Sequence, residues 1–214
     1  MDKKTIDQMF QRFANANAKP KTELNYTNNY TMLLAVMLSA QSTDVGVNKA
    51  TEKLFKIVST PEDILKLGET KLKTYIKTIG LYNSKARNIM ATSKILIEKH
   101  LSQIPESLEA LIRLPGIGEK TAKVMLNSIF KKPVIAVDTH VFRTAIRLGL
   151  SHKKTREKVG QDLEQTIPDK WKQNAHHWLV LHGRYVCKSR KPLCEQCSIS
   201  DLCEYFAKIF LEDG

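Results

Sequence analysis

The chain has 214 residues, 42% of them hydrophobic, enough to bury one large core or two small ones. Its 34 Lys and Arg against 22 Asp and Glu give a formal charge of +12. That excess suits a polyanionic partner, because neutralising phosphates releases counterions. The first six residues lack the apolar core of a signal peptide, and the longest apolar run, residues 31–40, is too short to cross a bilayer. The expectation is a cytoplasmic protein with no membrane partner, nucleoid-associated if bacterial.

Helical periodicity runs through the chain. Residues 5–15 place Ile6, Met9, Phe10 and Phe13 on one face, and residues 31–38 are almost wholly apolar, as a central helix would be. Asp44 is placed to cap a helix carrying Val47, Ala50, Leu54 and Ile57, and Thr60-Pro61-Glu62-Asp63 reads as a cap with proline at the first helical position. Asn83 is placed to cap a long helix with Ile89, Ile95 and Leu96 on its apolar side. Pro105-Glu106-Ser107 opens a short helix ending near Leu114, and another runs from Lys120 to about Phe130. Residues 133–137, Pro-Val-Ile-Ala-Val, are the one strand-like segment. Asp138 follows as the cap of a helix with Val141, Ala145 and Leu148, and two more helices cover about 155–167 and 169–182. No polar–apolar alternation is long enough for a sheet, so the fold class is all-α.

Leu114-Pro115-Gly116-Ile117-Gly118, set between two helices, is the pattern of a helix-hairpin-helix element. Its glycines free the backbone to bend and to come close to another molecule. The amides at the start of the next helix favour a phosphate without reading base sequence. Lys120 sits in the first turn of that helix. As one lysine among many it would ordinarily be solvated or touch a phosphate. Asp138, likewise, would ordinarily be a plain helix cap.

All four cysteines lie between Cys187 and Cys203, with six, two and five residues between successive members. In a reducing compartment that clustering indicates a metal site rather than disulfides. Four thiolates can hold a zinc ion or a four-iron, four-sulfur cluster, and ligand chemistry alone leaves both open. The loop after Cys187 carries Lys188, Arg190 and Lys191 and no acid.

The chain closely resembles the endonuclease III family of DNA glycosylases. The resemblance covers nearly the whole length. It rests on Leu38-Ser39-Ala40-Gln41-Ser42-Thr43-Asp44, Gly80-Leu81-Tyr82-Asn83-Ser84-Lys85-Ala86, residues 114–122, Val137-Asp138-Thr139-His140-Val141, and the cysteine spacing. It implies two helical domains flanking a DNA-binding cleft: residues 22–132 as a six-helix domain with the hairpin, and residues 1–21 with 133–214 as the domain bearing an iron–sulfur cluster. It also implies one 4Fe-4S cluster on Cys187, Cys194, Cys197 and Cys203.

The activity implied is base-excision repair. A monomer would remove oxidised pyrimidines from double-stranded DNA and then cut the abasic site on the 3′ side of the sugar. In that scheme Lys120 is the nucleophile that forms a Schiff base. A free lysine titrates near about 10.4, so an amine must be readied, and a helix start with partial burial disfavours the ammonium. Asp138 would stabilise the cationic sugar or assist proton transfer. Because a stacked base must be flipped out, Gln41 would meet the orphaned base and Leu81 would wedge the stack. Gly116, Gly118, Arg190 and Lys191 would hold the DNA backbone. A non-catalytic DNA-binding module would need the hairpin and the basic loop, but neither Lys120 nor Asp138. An iron–sulfur redox carrier would leave the hairpin unexplained.

Overall fold

The computed structural model describes residues 1–212, with side chains to residue 209. Among the described residues there are twelve α-helices, two 3-10 turns and no strand. No helix is long and apolar enough to cross a membrane. The chain divides into two compact units, Met1–Thr22 with Lys131–Gly214, and Glu23–Phe130.

Helix α1 (Lys3–Ala16) is capped by the Asp2 carboxylate, which accepts from the Lys4 and Thr5 amides, and it buries Ile6, Met9, Phe10 and Phe13. In the Glu23–Phe130 unit, α2 (Asn29–Ser39) starts from a capping box between Asn28 and Thr31 and buries every side chain from Tyr30 to Leu38. A helix apolar all round has to be enclosed. Helices α3 (Asp44–Leu54), α4 (Pro61–Leu67), α5 (Glu69–Ile76) and α6 (Tyr82–His100) follow, and α7 (Leu108–Ile112) and α8 (Glu119–Ser128) form the hairpin. Helix α2 packs on α3, α6 and α8, while α6 packs on α4 and α5.

Two caps differ from the sequence expectation. Thr43, not Asp44, caps α3, because its hydroxyl already accepts from the Gly46 amide at 3.1 Å, leaving Asp44 as the first helical residue. Asn83 caps nothing: α6 starts after Leu81, whose backbone is left-handed at φ 58° and supplies no side-chain bond. Thr60 caps α4 as read, with Pro61 at the helix start.

The other unit joins α1 to α9 (Thr139–Leu148), α10 (Arg156–Thr166), α11 (Asp169–Tyr185) and α12 (Glu204–Glu212). Helix α11 packs along α9 and against α1. Phe10, Phe13, Leu148, Leu163, Trp178, Leu179 and Ile199 form one core. At about 1.5–3 kcal/mol for each large apolar side chain fully buried, this core holds the first helix to the C-terminal region. Trp171 and Trp178 both pack here, each with its ring N–H bonded, to Asp7 and to the Asn17 carbonyl. Residues 133–137 are not a strand. With no neighbouring strand, the Ile135 amide donates to Glu164 at 3.2 Å, and the Ala136 carbonyl lies 2.9 Å from His176 Nδ1.

Candidate functional site

The hairpin turn is anchored from below and open above. Leu114 and Ile117 are buried, and Thr92 on α6 donates its hydroxyl to the Pro115 carbonyl at 3.0 Å. The two glycines of the turn play different parts. Gly116 has φ 79°, and a Cβ there would stand 2.7 Å from the Asn88 side chain, so the fold itself requires glycine. Gly118 has φ −91° and open space where a Cβ would be. Nothing inside this unit demands glycine at 118. It caps α8 without any side-chain bond, so the amides at that helix start are left to an external acceptor.

Lys120 is the second residue of α8 and is exposed, against the partial burial expected of it. The amine therefore stands at the positive end of the helix dipole, in water. Glu119 beside it is turned toward Lys123, at 3.3 Å.

Asp138 belongs to the other unit. It caps α9, with Oδ1 accepting from the Val141 amide at 2.8 Å, and it is half-buried. Its Oδ2 accepts no hydrogen bond from the described residues. One carboxylate oxygen fixes the side chain and the other remains available for charge. The same helix secures the C-terminal loop. Arg143 donates to the Cys187 and Gly183 carbonyls, at 2.9 and 2.6 Å. Arg147 donates to the Lys188 and Ser189 carbonyls, at 2.7 and 3.1 Å, lies 3.6 Å from Cys187 Sγ and stacks over Tyr205.

Gln41 and Leu81 sit on neighbouring turns of the Glu23–Phe130 unit. A Cβ on Gly80 would stand 3.8 Å from the Gln41 carbonyl oxygen. Both residues are exposed, Leu81 by 64%, and both are left-handed, at φ 56° and 58°. Left-handed backbone costs a non-glycine residue about 1–3 kcal/mol and gathers at functional positions. Lys191, at φ 49°, shares it. Arg190 and Lys191 are both exposed.

The four cysteines are free thiols that line one pocket with Leu148, His182, Val186, Leu193 and Phe206. Burial pushes the Cys194, Cys197 and Cys203 thiols up, and neighbouring thiols add to the effect. Gathered thiolates need a cationic centre to offset that cost. Among the described residues no three His, Cys, Asp or Glu side chains converge on a point suited to a single metal ion. A zinc ion would draw all four sulfurs to about 2.3 Å from one point. A cluster instead takes thiolates at its corners, and four sulfurs around an apolar pocket fit that larger body. His182, held neutral by burial with its titration lowered to about 4, lies 3.8 Å from Cys197 Sγ.

Sequence reasoning missed Arg143, Arg147 and His182. The two arginines carry a readable signal, since their i, i+4 spacing puts both on one side of α9, away from Val141, Ala145 and Leu148. For His182 the sequence offers none.

Residues 34–169 match the HhH-GPD superfamily of base excision DNA repair proteins, and residues 187–203 match the iron–sulfur binding domain of endonuclease III. Endonuclease III of Rickettsia conorii is 53% identical over 96% of this chain and 98% of its own. That of Escherichia coli is 50% identical over 98% and 99%. A solved structure of a trapped endonuclease III–DNA covalent intermediate superposes with a TM-score of 0.89, at 37% identity over 98% of this chain and 99% of that one.

Proposed function

Because the chain belongs to the endonuclease III family of base excision DNA repair proteins, we propose that it is a DNA glycosylase and abasic-site lyase that removes oxidised pyrimidines from duplex DNA. The observation that carries this reading is the start of α8. It is bent into place by Gly116, bare of any side-chain cap at Gly118, and bears an exposed Lys120 in its first turn. A phosphate bound there would fix the DNA backbone beside the amine. Effective concentration at a held sugar can supply several kcal/mol of the barrier.

The chemistry follows from an amine meeting a glycosidic carbon. The Lys120 nitrogen forms a bond to C1′ as the base departs with the glycosidic electron pair and takes up a proton. The nitrogen then loses a proton, and its lone pair expels the ring oxygen O4′, which is protonated as the sugar opens to an iminium that makes a C2′ proton acidic. Its removal expels the 3′ phosphate, and water releases the lysine. Asp138 contributes its free oxygen, as a negative charge for the cationic sugar or as a proton carrier. That the related structure is a covalent intermediate on DNA supports a nucleophile of this kind.

Cys187, Cys194, Cys197 and Cys203 hold a 4Fe-4S cluster, with Arg147 fixing the backbone between the first two ligands and Arg143 fixing the carbonyls of Gly183 and Cys187. The cluster's role is to tie this loop so that Arg190 and Lys191 meet a phosphate backbone. The working species is a monomer acting on damaged pyrimidines or abasic sites. Residues 22–132 supply the hairpin, and residues 1–21 with 133–214 supply Asp138 and the cluster. As a bacterial-type enzyme it would work in the cytoplasm, on the nucleoid.

The test is borohydride reduction of the protein with duplex DNA carrying thymine glycol. A stable protein–DNA adduct that disappears in Lys120→Ala supports the reading, and an undiminished adduct in that variant overturns it. Purified protein should be brown, with iron and sulfide near four each per chain. Colourless, zinc-loaded, fully active protein would refute the cluster.

A further inference from the structure

Lys85 is a buried cation with no assigned role, only 8% exposed, on the first turn of α6. Its ammonium donates to the Leu38 carbonyl at 2.8 Å, the Ala40 carbonyl at 2.6 Å and the Ser42 hydroxyl at 3.2 Å. All three N–H groups are thereby used. The acceptors lie at the end of α2 and in the loop beyond it, where the last carbonyls of a helix lack partners and the dipole is negative. Burial holds the Lys85 titration below its ordinary value. An apolar residue of similar length would fill the space without that cost.

The three acceptors bracket Gln41, with Leu38 and Ala40 on one side and Ser42 on the other. The same α6 opens directly from Leu81, and the Lys85 amide closes its first turn on the Leu81 carbonyl at 3.0 Å. One residue therefore bonds, by side chain and by backbone, to both segments whose tips stand in left-handed backbone. Such conformations persist only where the surroundings over-determine them.

We propose that Lys85 is a positioning residue that locks the Gln41 and Leu81 turns into a single rigid wedge for the DNA duplex. This rests on the glycosylase reading above, in which those tips meet flipped DNA. Lys85 touches no substrate and acts through the loop it holds. Fixing both tips in advance removes the ordering cost that two independent loops would incur on binding.

The experiment compares Lys85→Met, Gln41→Ala and their double variant in single-turnover excision of thymine glycol from duplex DNA. Cleavage of single-stranded abasic DNA, which needs no base pair opened, is the second readout. The third is the emission of 2-aminopurine placed opposite an abasic analogue, which rises when that base is unstacked. If the wedge is locked by Lys85, its substitution slows duplex excision about tenfold more than single-strand cleavage, and adding Gln41→Ala costs about twofold or less beyond that. The 2-aminopurine rise is lost in both single variants. Ser42→Ala, which removes one acceptor and leaves the core intact, gives a smaller loss with the same duplex selectivity and applies if Lys85→Met does not fold. Equal losses on both substrates, fully additive losses in the double variant, or unaltered duplex excision in Ser42→Ala alongside a folded and fully active Lys85→Met each overturn the lock. If Gln41→Ala alone changes neither duplex excision nor emission, the wedge reading falls and takes the lock with it. The Lys120 adduct is unaffected by that failure and still reports on the chemistry.

Discussion

Two helix starts carry the proposed chemistry, and they are built in opposite ways. Helix α8 begins at Gly118 with no side-chain cap, whereas α9 begins at Asp138, whose carboxylate caps it at 2.8 Å. An N-cap is ordinarily worth about 0.5–2 kcal/mol. Leaving α8 bare forgoes that stabilisation and keeps its amides for a ligand. Capping α9 with an acid spends one oxygen on the fold and keeps the other for charge. A missing interaction can mark a binding site as well as a present one does.

The largest expected effect breaks the α8 side. Lys120 is exposed and makes no bond to the described residues, so Lys120→Ala should leave stability within about 0.5 kcal/mol. Strand cleavage at an abasic site should nonetheless fall roughly a thousandfold or more, measured by single-turnover kinetics. Next comes Asp138→Asn. Asparagine caps about as well as aspartate, so the melting temperature should hold while base release slows roughly a hundredfold. Asp138→Ala should lose the cap as well, about 1 kcal/mol by denaturant titration. A normal excision rate in folded Asp138→Asn would leave α9 with a cap and nothing more.

Gly118→Asp sharpens the contrast, because it would give α8 the kind of cap α9 has. The backbone there suits any residue and a Cβ meets open space. Stability should rise by about 0.5 kcal/mol, while affinity for duplex DNA drops about tenfold from the added negative charge. Gly116→Ala should move both quantities down, because its φ of 79° and the clash with Asn88 are imposed by the fold. A Gly118→Asp protein that binds DNA as tightly as the parent would show that the bare helix start is not the phosphate site.

Most of the helices were legible, because Ile6, Met9, Phe10 and Phe13, or Thr60 with Pro61, declare a face or a cap within a few residues. Helices α5 and α12 were not: α5 starts from Gly68, which offers no side-chain cap, and α12 follows the last cysteine. Residues 133–137 carry strand composition but find side chains where a strand would need a neighbour. In the candidate site, spacing alone marked the cysteines as a metal site, whereas Lys120 and Asp138 owe their proposed roles to the family resemblance. Lys85 and Arg147 take their parts from contacts distant in sequence: the Leu38 and Ala40 carbonyls and the Ser42 hydroxyl, 43 to 47 positions from Lys85, and the Lys188 and Ser189 carbonyls, 41 and 42 positions from Arg147. Exposure of Leu81 was equally hidden, since an apolar residue ahead of a helix reads as core until its left-handed backbone turns it out.

The smallest expected effect tests the α9 side at its far end, where Arg147 grips the loop bearing Arg190 and Lys191. Arg190→Gln and Lys191→Gln should each weaken DNA binding a few-fold and lower the slope of log affinity against log salt by roughly one. Arg147→Lys keeps the charge but loses the two-pronged grip on the Lys188 and Ser189 carbonyls, since a lysine is a point donor and not a planar fork. If the grip is what presents the basic loop, this charge-neutral change should lower the salt slope as the glutamine variants do. If Arg147 serves only as another positive charge beside the thiolates, the slope should match the parent and only the visible spectrum or iron retention should change. A salt titration of the four proteins separates a helix that merely neighbours the cluster from one that aims its loop.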